Sequence, residues 1–555
     1  MVKGTRTMRR WLQKCAAVVL GASMVVTALP QSVLYAGSKD TSVQHETEQV
    51  VEVIQNASSE GKQIKNIIYM IPDGGGFPTF DIAKAVKEAG GVKYALTSQT
   101  ANKMYLNDYL VSSMITDSLD STGDRATDSA AAGTALATGN KTNDGYVGIN
   151  GSKSPVASIA EVCRLEGKAT GLISTSYEFD ATPAAFAAHT DSRKNYSDII
   201  NQMMYAGVNV VLGGGIDGPR NDSQIKSSTI ANKGYTLVGS KSALQNAAGK
   251  TYTDASEEAK VWATFNAGDY QMSYEYEHNG NNPTIAEMTK SAIDILSQDP
   301  DGFFMMVEGS MIDYSNHHMD MKESACEWIA FDEAFKVALD YASQRTDTAI
   351  VVAPDHNTGV ERVIDGKMDT IVQMVKNQES TIKRSDLMEF GPMQDNGESN
   401  HTRQNVGVWM YVPEGVSRIP EVSEQYLSSS ERNNKTIQNT VIAPYLATLV
   451  SDYTMASATN ELFMDVTDKG RVDNNKFYFN DLNCNIELNT DIAYIDGSEE
   501  DLKGRVAVRV NGKVYVPRLL LQKLGLVEED VEVPDTQPLN GEGTKENPYK
   551  IGTTE

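Results

Sequence analysis

Ser129 stands within RATDSAAAGTALATG, the run from Arg125 to Gly139. Asp128 and Ser129 are residue types that cap helices, the alanine-rich stretch to Thr138 propagates one, and Gly139 stops it. A helix start presents unpaired N–H groups and the positive end of the macrodipole, so an anion brought there is partly stabilised before any side chain acts. A serine in that place is a candidate nucleophile toward an anionic substrate. Taken alone, Thr127 to Ser129 need do no more than cap a buried alanine helix. The decision rests on what else converges on that hydroxyl.

Elsewhere the chain supplies oxygen and nitrogen ligands. Asp73 follows the apolar run Ile67 to Ile71 and opens onto three glycines; Asp180 and Thr182 come soon after Gly171 to Ser174; Glu308 follows Phe303 to Val307; Asp355 and His356 follow Ala349 to Ala353. Each has a plain reading by itself: a turn at Asp73-Gly74, a helix start at Thr182-Pro183, a polar loop at Asp355-His356-Asn357. Jointly they set carboxylates, a hydroxyl and an imidazole just past apolar runs, the ligand types that hard and borderline divalent metals require. Asp313 and His317, four residues apart, share one face of a helical turn and can chelate one ion. His318 points elsewhere in that geometry, and His401 lies in a polar loop downstream. His189, in the apolar helix expected over PAAFAAH, reads as a satisfied core residue, and His45 and His278 as surface residues.

For these groups to meet, several strand ends must reach one edge. The runs at 67–71, 171–174, 208–212, 303–307, 349–353 and 406–411 are short, continuous and separated by helical patterns such as Ser324 to Tyr341. That alternation predicts a doubly wound α/β fold, a mostly parallel central sheet with helices on both faces. Sites in such sheets gather at the carboxyl ends of the strands, where Asp73, Asp180, Glu308 and Asp355 fall.

The 555 residues, 40% of them hydrophobic, suffice for one large core with smaller pieces appended. A formal charge of −25 argues against nucleic acid or anionic lipid as a partner, since either needs a basic face. Residues 1–36 read as an export signal: Lys3, Arg6, Arg9, Arg10 and Lys14 precede the apolar run Ala16 to Leu29, and the small residues Ala36-Gly37 offer a cleavage point. That run is short for a bilayer span, and a retained anchor is the alternative. The mature protein is thus expected to be secreted, periplasmic or associated with the cell surface. Cleavage leaves Cys163, Cys326 and Cys484 without dense spacing, so disulfides are not what holds it together. Residues 37–61 read as a polar linker and 62–455 as the main domain, ending in the helix-like Asn439 to Val450. Residues 456–527 read as a small α+β appendage with a hairpin at Asn511-Gly512, and 528–555 as a disordered acidic tail.

The ordered set NIIYMIPDGGG, TDSAAAGTALATG, DATPAAFAAHTDSRKNY, VNVVLGGG, VEGSMIDYSNHH, APDH and the NHT around His401 resembles the bacterial alkaline phosphatase family, from about Ile64 to about Ser451. The resemblance implies a metal-dependent phosphomonoesterase with two zinc ions and one magnesium, working through a phosphoserine on Ser129. It implies that Asp313, His317 and His401 hold one zinc, that Asp73, Asp355 and His356 hold the other beside Ser129, and that Asp73, Thr182 and Glu308 hold the magnesium. Arg193 would clamp two phosphate oxygens with its planar fork, which lysine cannot copy. Asp180 would accept hydrogen bonds from waters on the magnesium. Phosphate monoesters are the implied substrates, and a homodimer the implied assembly.

The chain departs from the family pattern in places. Tyr314 follows Asp313 where relatives often carry lysine or histidine, and Arg403-Gln404 follow His401-Thr402 where many carry a small residue and then a polar or acidic one. The Cys or Ser followed by x-Pro-x-Arg that a sulfatase needs is absent. A metal-dependent phosphodiesterase of the same fold and a catalytically silent surface binding protein stay open as alternatives. No implied ligand lies beyond Ala456, so residues 456–555 are expected to be bystanders of the chemistry, with a structural cap on the catalytic sheet as the competing reading. The run AVRVNGKVYVPRLLLQKLGL, residues 507–526, also resembles small stalk modules of bacterial surface proteins, a strand pair followed by a helix.

Overall fold

The structure, a computed structural model, describes residues 64–527 apart from 92–101, 266–281, 420–435 and positions 219, 220, 222, 224, 254, 378, 380–383 and 417. The expected signal peptide, linker and tail, with His45 and His278, lie outside the described residues.

The apolar runs assemble into a ten-stranded sheet among the described residues. Its members are β1 (Asn66–Ile71), β2 (Leu110–Ile115), β3 (Ala169–Tyr177), β4 (Val210–Gly214), β5 (Thr236–Val238), β6 (Val261–Ala263), β7 (Phe303–Glu308) and β8 (Thr348–Val352). Four short strands follow outside it, β9 (Asn357–Thr358), β10 (Val360–Val363), β11 (Met388–Phe390) and β12 (His401–Thr402), before β13 (Val406–Tyr411) and β14 (Thr436–Gln438) complete it. The order is β14-β2-β13-β8-β1-β7-β3-β4-β6-β5. Every pairing in it is parallel except those of β13, which runs antiparallel to β2 and β8. β1, β3, β4, β7 and β8 are buried along their whole length, as strands covered on both faces must be.

One helical layer holds Phe77–Glu88, Ile285–Leu296, Met321–Ala342 and Met368–Lys376, packed on one another and on β3 and β8. Its apolar centre is Phe80, Trp328 and Trp409, with ring centroids 5.3 Å apart from Phe80 to each tryptophan. Burying an aromatic side chain of this size contributes roughly 1.5–3 kcal/mol. Lys87 is fully buried in the same layer, 2.7 Å from Asp332, whose carboxylate also takes the backbone N–H groups of Tyr105 and Leu106. Lys87 also meets Glu333 at 2.9 Å, so it is the loss of Lys87 that would leave the buried Asp332 charge without its cation, at a cost of about 3–5 kcal/mol. A second group of helices, Ser129–Thr138, Ile159–Leu165 and Ile442–Val450, packs together, with Ile159–Leu165 against β3 and β7.

The Ser129–Thr138 helix forms as its sequence dictates. Asp128 is the N-cap and accepts from Ala131 N, and Gly139 ends the helix in the left-handed region at φ 74°. All ten residues are buried, and a Cβ added at Gly133 would already touch the Ala185 Cβ at 3.4 Å, at the end of the Ala181–Ala184 turn of helix.

Beyond the sheet, β15 (Met464–Asp465), β21 (Val508–Val510) and β22 (Lys513–Val516) form a three-stranded sheet, and β16 (Gly470–Asp473), β17 (Lys476–Phe479), β18 (Cys484–Glu487), β19 (Ile492–Ile495) and β20 (Ser498–Asp501) a five-stranded antiparallel meander. Asn511 and Gly512 take φ 50° and 79°, the left-handed pair that a tight hairpin turn between β21 and β22 requires. The helix Arg518–Lys523 follows and closes a separate apolar cluster with Phe477, Ile486, Val514 and Leu520.

Candidate active site

β8, β1, β7 and β3 are neighbours that run in one direction, so the segments leaving their carboxyl ends share one edge of the sheet. Asp73 leaves β1, Asp180 and Thr182 leave β3, Glu308 ends β7, and Asp355 and His356 leave β8. The first glycine after Asp73 is needed sterically. Gly74 sits at φ +67°, and a Cβ there would lie 2.6 Å from Asp313 Oδ1, so only glycine lets the end of β1 approach the Asp313 helix.

Asp313 and His317 lie on the helix Met311–His318, with His317 Nε2 3.2 Å from Asp313 Oδ2. His401 reaches them because β12 pairs with β9, setting His401 opposite Thr358. His401 Nε2 is 3.2 Å from His317 Nε2 and 3.7 Å from Asp313 Oδ1. Hydrogen bonds fix the tautomers: His317 Nδ1 donates to the Ser399 carbonyl and His401 Nδ1 to the Thr127 carbonyl. Each imidazole then turns the lone pair of Nε2 toward the other, an arrangement that needs a cation between them, either a proton or a metal ion.

His356 repeats this logic one step closer to the nucleophile. Its ring stacks on that of His401, with centroids 3.6 Å apart, and its Nδ1 gives a proton to Thr358 Oγ1. Its Nε2 faces Asp355 Oδ2 at 3.2 Å, Asp73 Oδ1 at 3.6 Å and Ser129 Oγ at 3.2 Å. Ligand atoms of Asp73, Asp355 and His356 lie within 4.8 Å of one another, and so do those of Asp313, His356 and His401. Asp355 uses its other oxygen on the N–H groups of Gly74 and His356, which aims Oδ2 into the set.

Four buried oxygens here have no hydrogen-bond partner among the described residues: Asp73 Oδ1, Thr182 Oγ1, Glu308 Oε2 and Asp355 Oδ2. Orphaned buried oxygens are costly unless something absent from the protein atoms pairs with them. Asp73, Thr182 and Glu308 offer oxygen only, which fits magnesium, whereas the two histidine-containing sets fit zinc. The residues present therefore fit divalent metal ions.

Electrostatics agrees. Burial, followed by the charges of Asp355, Asp313 and Glu308, pushes the Asp73 carboxyl well above its usual range. Burial raises Glu308 and Asp355 to about 7 each. Burial also holds His356 and His401 below the usual imidazole value, with neighbouring histidines adding to it. His317 moves the other way: burial is outweighed by Asp313, which raises it to about 9. Asp313, surrounded by three imidazoles that overcome its burial, stays below the usual carboxylate range. So many carboxylates at one buried point are tolerable only around cations.

Arg193 lies at the margin, its Nη1 3.2 Å from Asp128 Oδ2 and its Nη2 3.0 Å from Asp180 Oδ1. Asp180 also caps the short helix through Ala181 N and takes the Ser176 hydroxyl. The guanidinium is thus held by two carboxylates, one of them on the residue that precedes the serine, a role for Asp128 that the capping pattern did not reveal. Thr358, two residues after His356, was likewise missed; a hydroxyl after a candidate ligand was the available signal. His189 is a satisfied buried residue, bonded to the Gly148 carbonyl and to Glu161, although helix ends at Ala184 and does not run through it. His318 points away, toward Glu323 and Glu398. Tyr314 is half-buried on the ligand helix, close enough to influence Tyr177, which also faces Asp180 and Arg193.

Fold and site together define a class: doubly wound α/β proteins that set a helix-capped serine before clustered ligands for divalent metals. Residues 64–410 match the profile of the family described as Alkaline phosphatase, and the chain belongs to that family. Alkaline phosphatase 4 of Bacillus subtilis (strain 168) is 34% identical over 306 residues, 54% of this chain and 62% of that protein. Alkaline phosphatase of Escherichia coli (strain K12) is 27% identical over 411 residues, 65% of this chain and 84% of that protein. Alkaline phosphatase 3 of the same Bacillus subtilis strain is 32% identical over 319 residues, so that the chain spans 62% and 65% of the length of these two Bacillus subtilis relatives. Among solved structures, alkaline phosphatase of Thermus thermophilus superposes with a TM-score of 0.53 at 20% identity, covering 73% of this chain and 96% of that one. The cold-active enzyme of a psychrophilic Shewanella sp. superposes with 0.52 at 24%, covering 69% and 99%. These superpositions establish the fold.

Proposed function

We propose that the protein is an exported, metal-dependent phosphomonoesterase that hydrolyses phosphate monoesters through a phosphoserine on Ser129. The observation that carries this reading is the approach of Ser129 Oγ to His356 Nε2 at 3.2 Å, at a helix N-terminus, with Asp73 and Asp355 facing the same nitrogen. Asp313, His317 and His401 would hold one zinc; Asp73, Asp355 and His356 the second; Asp73, Thr182 and Glu308 a magnesium. When bound, these ions supply Lewis acidity that lowers the pKa of the serine hydroxyl and of water and offsets charge on the entering and leaving oxygens.

The protein groups do the rest. The N-terminus of the Ser129–Thr138 helix attracts the phosphate, and Arg193, set by Asp128 and Asp180, orients two of its oxygens. Ser129 Oγ forms a bond to phosphorus as the bond to the ester oxygen breaks. Water then attacks the phosphoserine and the Ser129 Oγ–phosphorus bond breaks. One ester and one water become one alcohol and one phosphate.

The test is phosphate release from p-nitrophenyl phosphate with and without chelator, alongside the metal content of the purified protein. Chelator-sensitive release with zinc and magnesium bound is expected. No such release under any added divalent metal would leave a silent binding protein, and a preference for bis(p-nitrophenyl) phosphate would make it a diesterase. Residues 1–36 as a removed export signal, 62–455 as the catalytic domain and 456–527 as an appended module are part of the same reading, and N-terminal sequencing of the exported protein checks the first. No helix among the described residues is long and apolar enough to cross a membrane. The implied homodimer is checked by sedimentation.

A further inference from the structure

The arm that carries Arg193 is gripped from two sides, and one grip comes from the C-terminal β-structure. On one side Val147 and Thr190 exchange backbone hydrogen bonds, and Arg193 N donates to the Gly145 carbonyl. On the other, His189, four residues before Arg193, gives its backbone N–H to Gln202 Oε1 at 2.8 Å and receives Gln202 Nε2 on its carbonyl at 3.2 Å. Gln202 is buried, and its Nε2 also donates to Asn489 Oδ1 at 3.0 Å. Asn489 in turn donates to Asp198 Oδ1 at 2.8 Å. It sits just after β18, buried and at φ 62°, a left-handed conformation that asparagine tolerates better than most residues. A second contact is independent of this chain of bonds: the Phe463 ring packs edge-on against the His189 imidazole, centroids 4.4 Å apart. The family profile ends at residue 410, so Phe463 and Asn489 belong to the part of the chain outside it.

We propose that Asn489 is a positioning residue for Arg193. Its amide, presented by the C-terminal β-structure, locks Gln202 onto the His189 backbone and so holds the His189–Arg193 arm where the guanidinium meets phosphate; this rests on the phosphate-binding role of Arg193 given above. Both N–H groups of the Gln202 amide are committed, one to His189 and one to Asn489. Removing the Asn489 side chain leaves a buried N–H unpaired, which favours rotation of Gln202 away from His189 and frees the arm. Phosphate binding must then order what the native protein has already ordered.

The test uses the zinc- and magnesium-loaded full chain with inorganic phosphate as the probe, an inhibitor of p-nitrophenyl phosphate hydrolysis. Asn489→Gly removes the amide and keeps the positive φ accessible. Its inhibition constant for phosphate is expected to rise about threefold or more, within the range that coupled positions away from a ligand produce. KM should rise in step, with kcat and bound metal close to those of the native protein. In an Arg193→Ala background the same substitution should have no further effect on phosphate affinity. An unchanged inhibition constant, or an equal rise in the Arg193→Ala background, overturns the proposal. If Asn489→Gly does not accumulate, Asn489→Asp, which keeps the acceptor for Gln202 and loses the donor, is read in the same way with a smaller rise expected. A native protein that neither hydrolyses the ester nor binds phosphate defeats the phosphatase reading itself, a result distinct from a native-like variant.

Discussion

Asp313 and His356 share one hydroxyl: Thr358 Oγ1 donates to Asp313 Oδ1 at 2.6 Å and accepts from His356 Nδ1 at 3.2 Å. One neutral side chain thereby orients a carboxylate of the first proposed zinc site and sets the tautomer of the imidazole at the second. Partners of this kind typically contribute a factor of about 10–100 to metal affinity. Thr358→Val keeps the shape and removes the hydroxyl, and is expected to weaken both sites together. Zinc retained during stepwise chelation measures this; weakening at one site alone would show that the shared hydroxyl does not couple them.

The sheet and the convergence of the candidate ligands were legible in the sequence because both obey short-range rules. Strands buried on both faces are continuous apolar runs, and Asp73, Glu308 and Asp355 stand next to such runs, so the ends of β1, β7 and β8 carried the site with them. Asp313 and His317 were legible through helical spacing alone. What was not legible depends on contacts far apart in the chain. The Thr127 carbonyl fixes His401 from 274 residues away, and Asn489 meets Gln202 across 287; no local pattern encodes either. Asp128 was visible as a cap, but its grip on Arg193 needed the loop to fold back 65 residues later.

Ser129→Ala should abolish phosphoenzyme formation and most turnover while metal content stays native, because the hydroxyl is the attacking group and the nearby carboxylates and imidazoles suffice to hold metal. Acid trapping with radiolabelled substrate should mark Ser129 alone in the native protein. Label elsewhere, or turnover in the variant close to native, would remove Ser129 from its role.

Asp73→Ala should be far more damaging than Arg193→Ala. Asp73 Oδ1 is one of the orphaned oxygens and faces His356 Nε2, so its loss strips a ligand from two proposed sites at once. Arg193 is 28% exposed in its side chain, and water can take over part of its contact with phosphate. Elemental analysis of the two variants decides the matter: Asp73→Ala with full zinc and magnesium would defeat the bridging assignment.

The C-terminal segment was expected to be a bystander, yet its contacts are buried and polar. Deleting residues 456–555 would uncover Gln202 and Asp198, strip Phe463 from His189 and unpair the Ser154 hydroxyl from Tyr515. Exposed Gln202 and Asp198 can find water, but the apolar surface cannot. The truncated protein should melt lower, by roughly 1–3 °C if the loss amounts to about one or two kcal/mol in a domain of this size. Calorimetry showing an unchanged melting point, with native turnover, would restore the bystander reading.

The last prediction concerns pH and metal together. In the metal-free protein Glu308 and Asp355 are raised to about 7 from ordinary values of 4.5 and 3.8, Asp73 is raised too, and His317 is raised to about 9 from 6.5. A raised folded-state value means that the native protein binds protons the unfolded chain has released. The carboxyl contributions are therefore complete below about pH 4 and are lost as pH rises through 7; that of His317 is complete below 6.5 and is lost through 9. His356 and His401 are depressed and act in the opposite sense, but only while the unfolded chain still protonates near 6.5, so above about pH 7 they add little slope. Between about pH 7 and 9 the metal-free protein should thus lose stability mainly through His317, the carboxyl contributions being already largely spent near pH 7. Bound metal takes the place of the protons, so the rise in melting temperature on adding zinc and magnesium should grow across the same interval. Lys141, lowered to about 7, and Glu178, raised to about 8, also titrate there, but both stand outside the proposed ligand sets and cancel in the difference between loaded and metal-free protein. Calorimetric scans of both forms at half-unit steps measure that difference directly. A metal-induced gain that stays flat or shrinks from about pH 7 to 9 would mean that His317 is not among the groups that hold the ions.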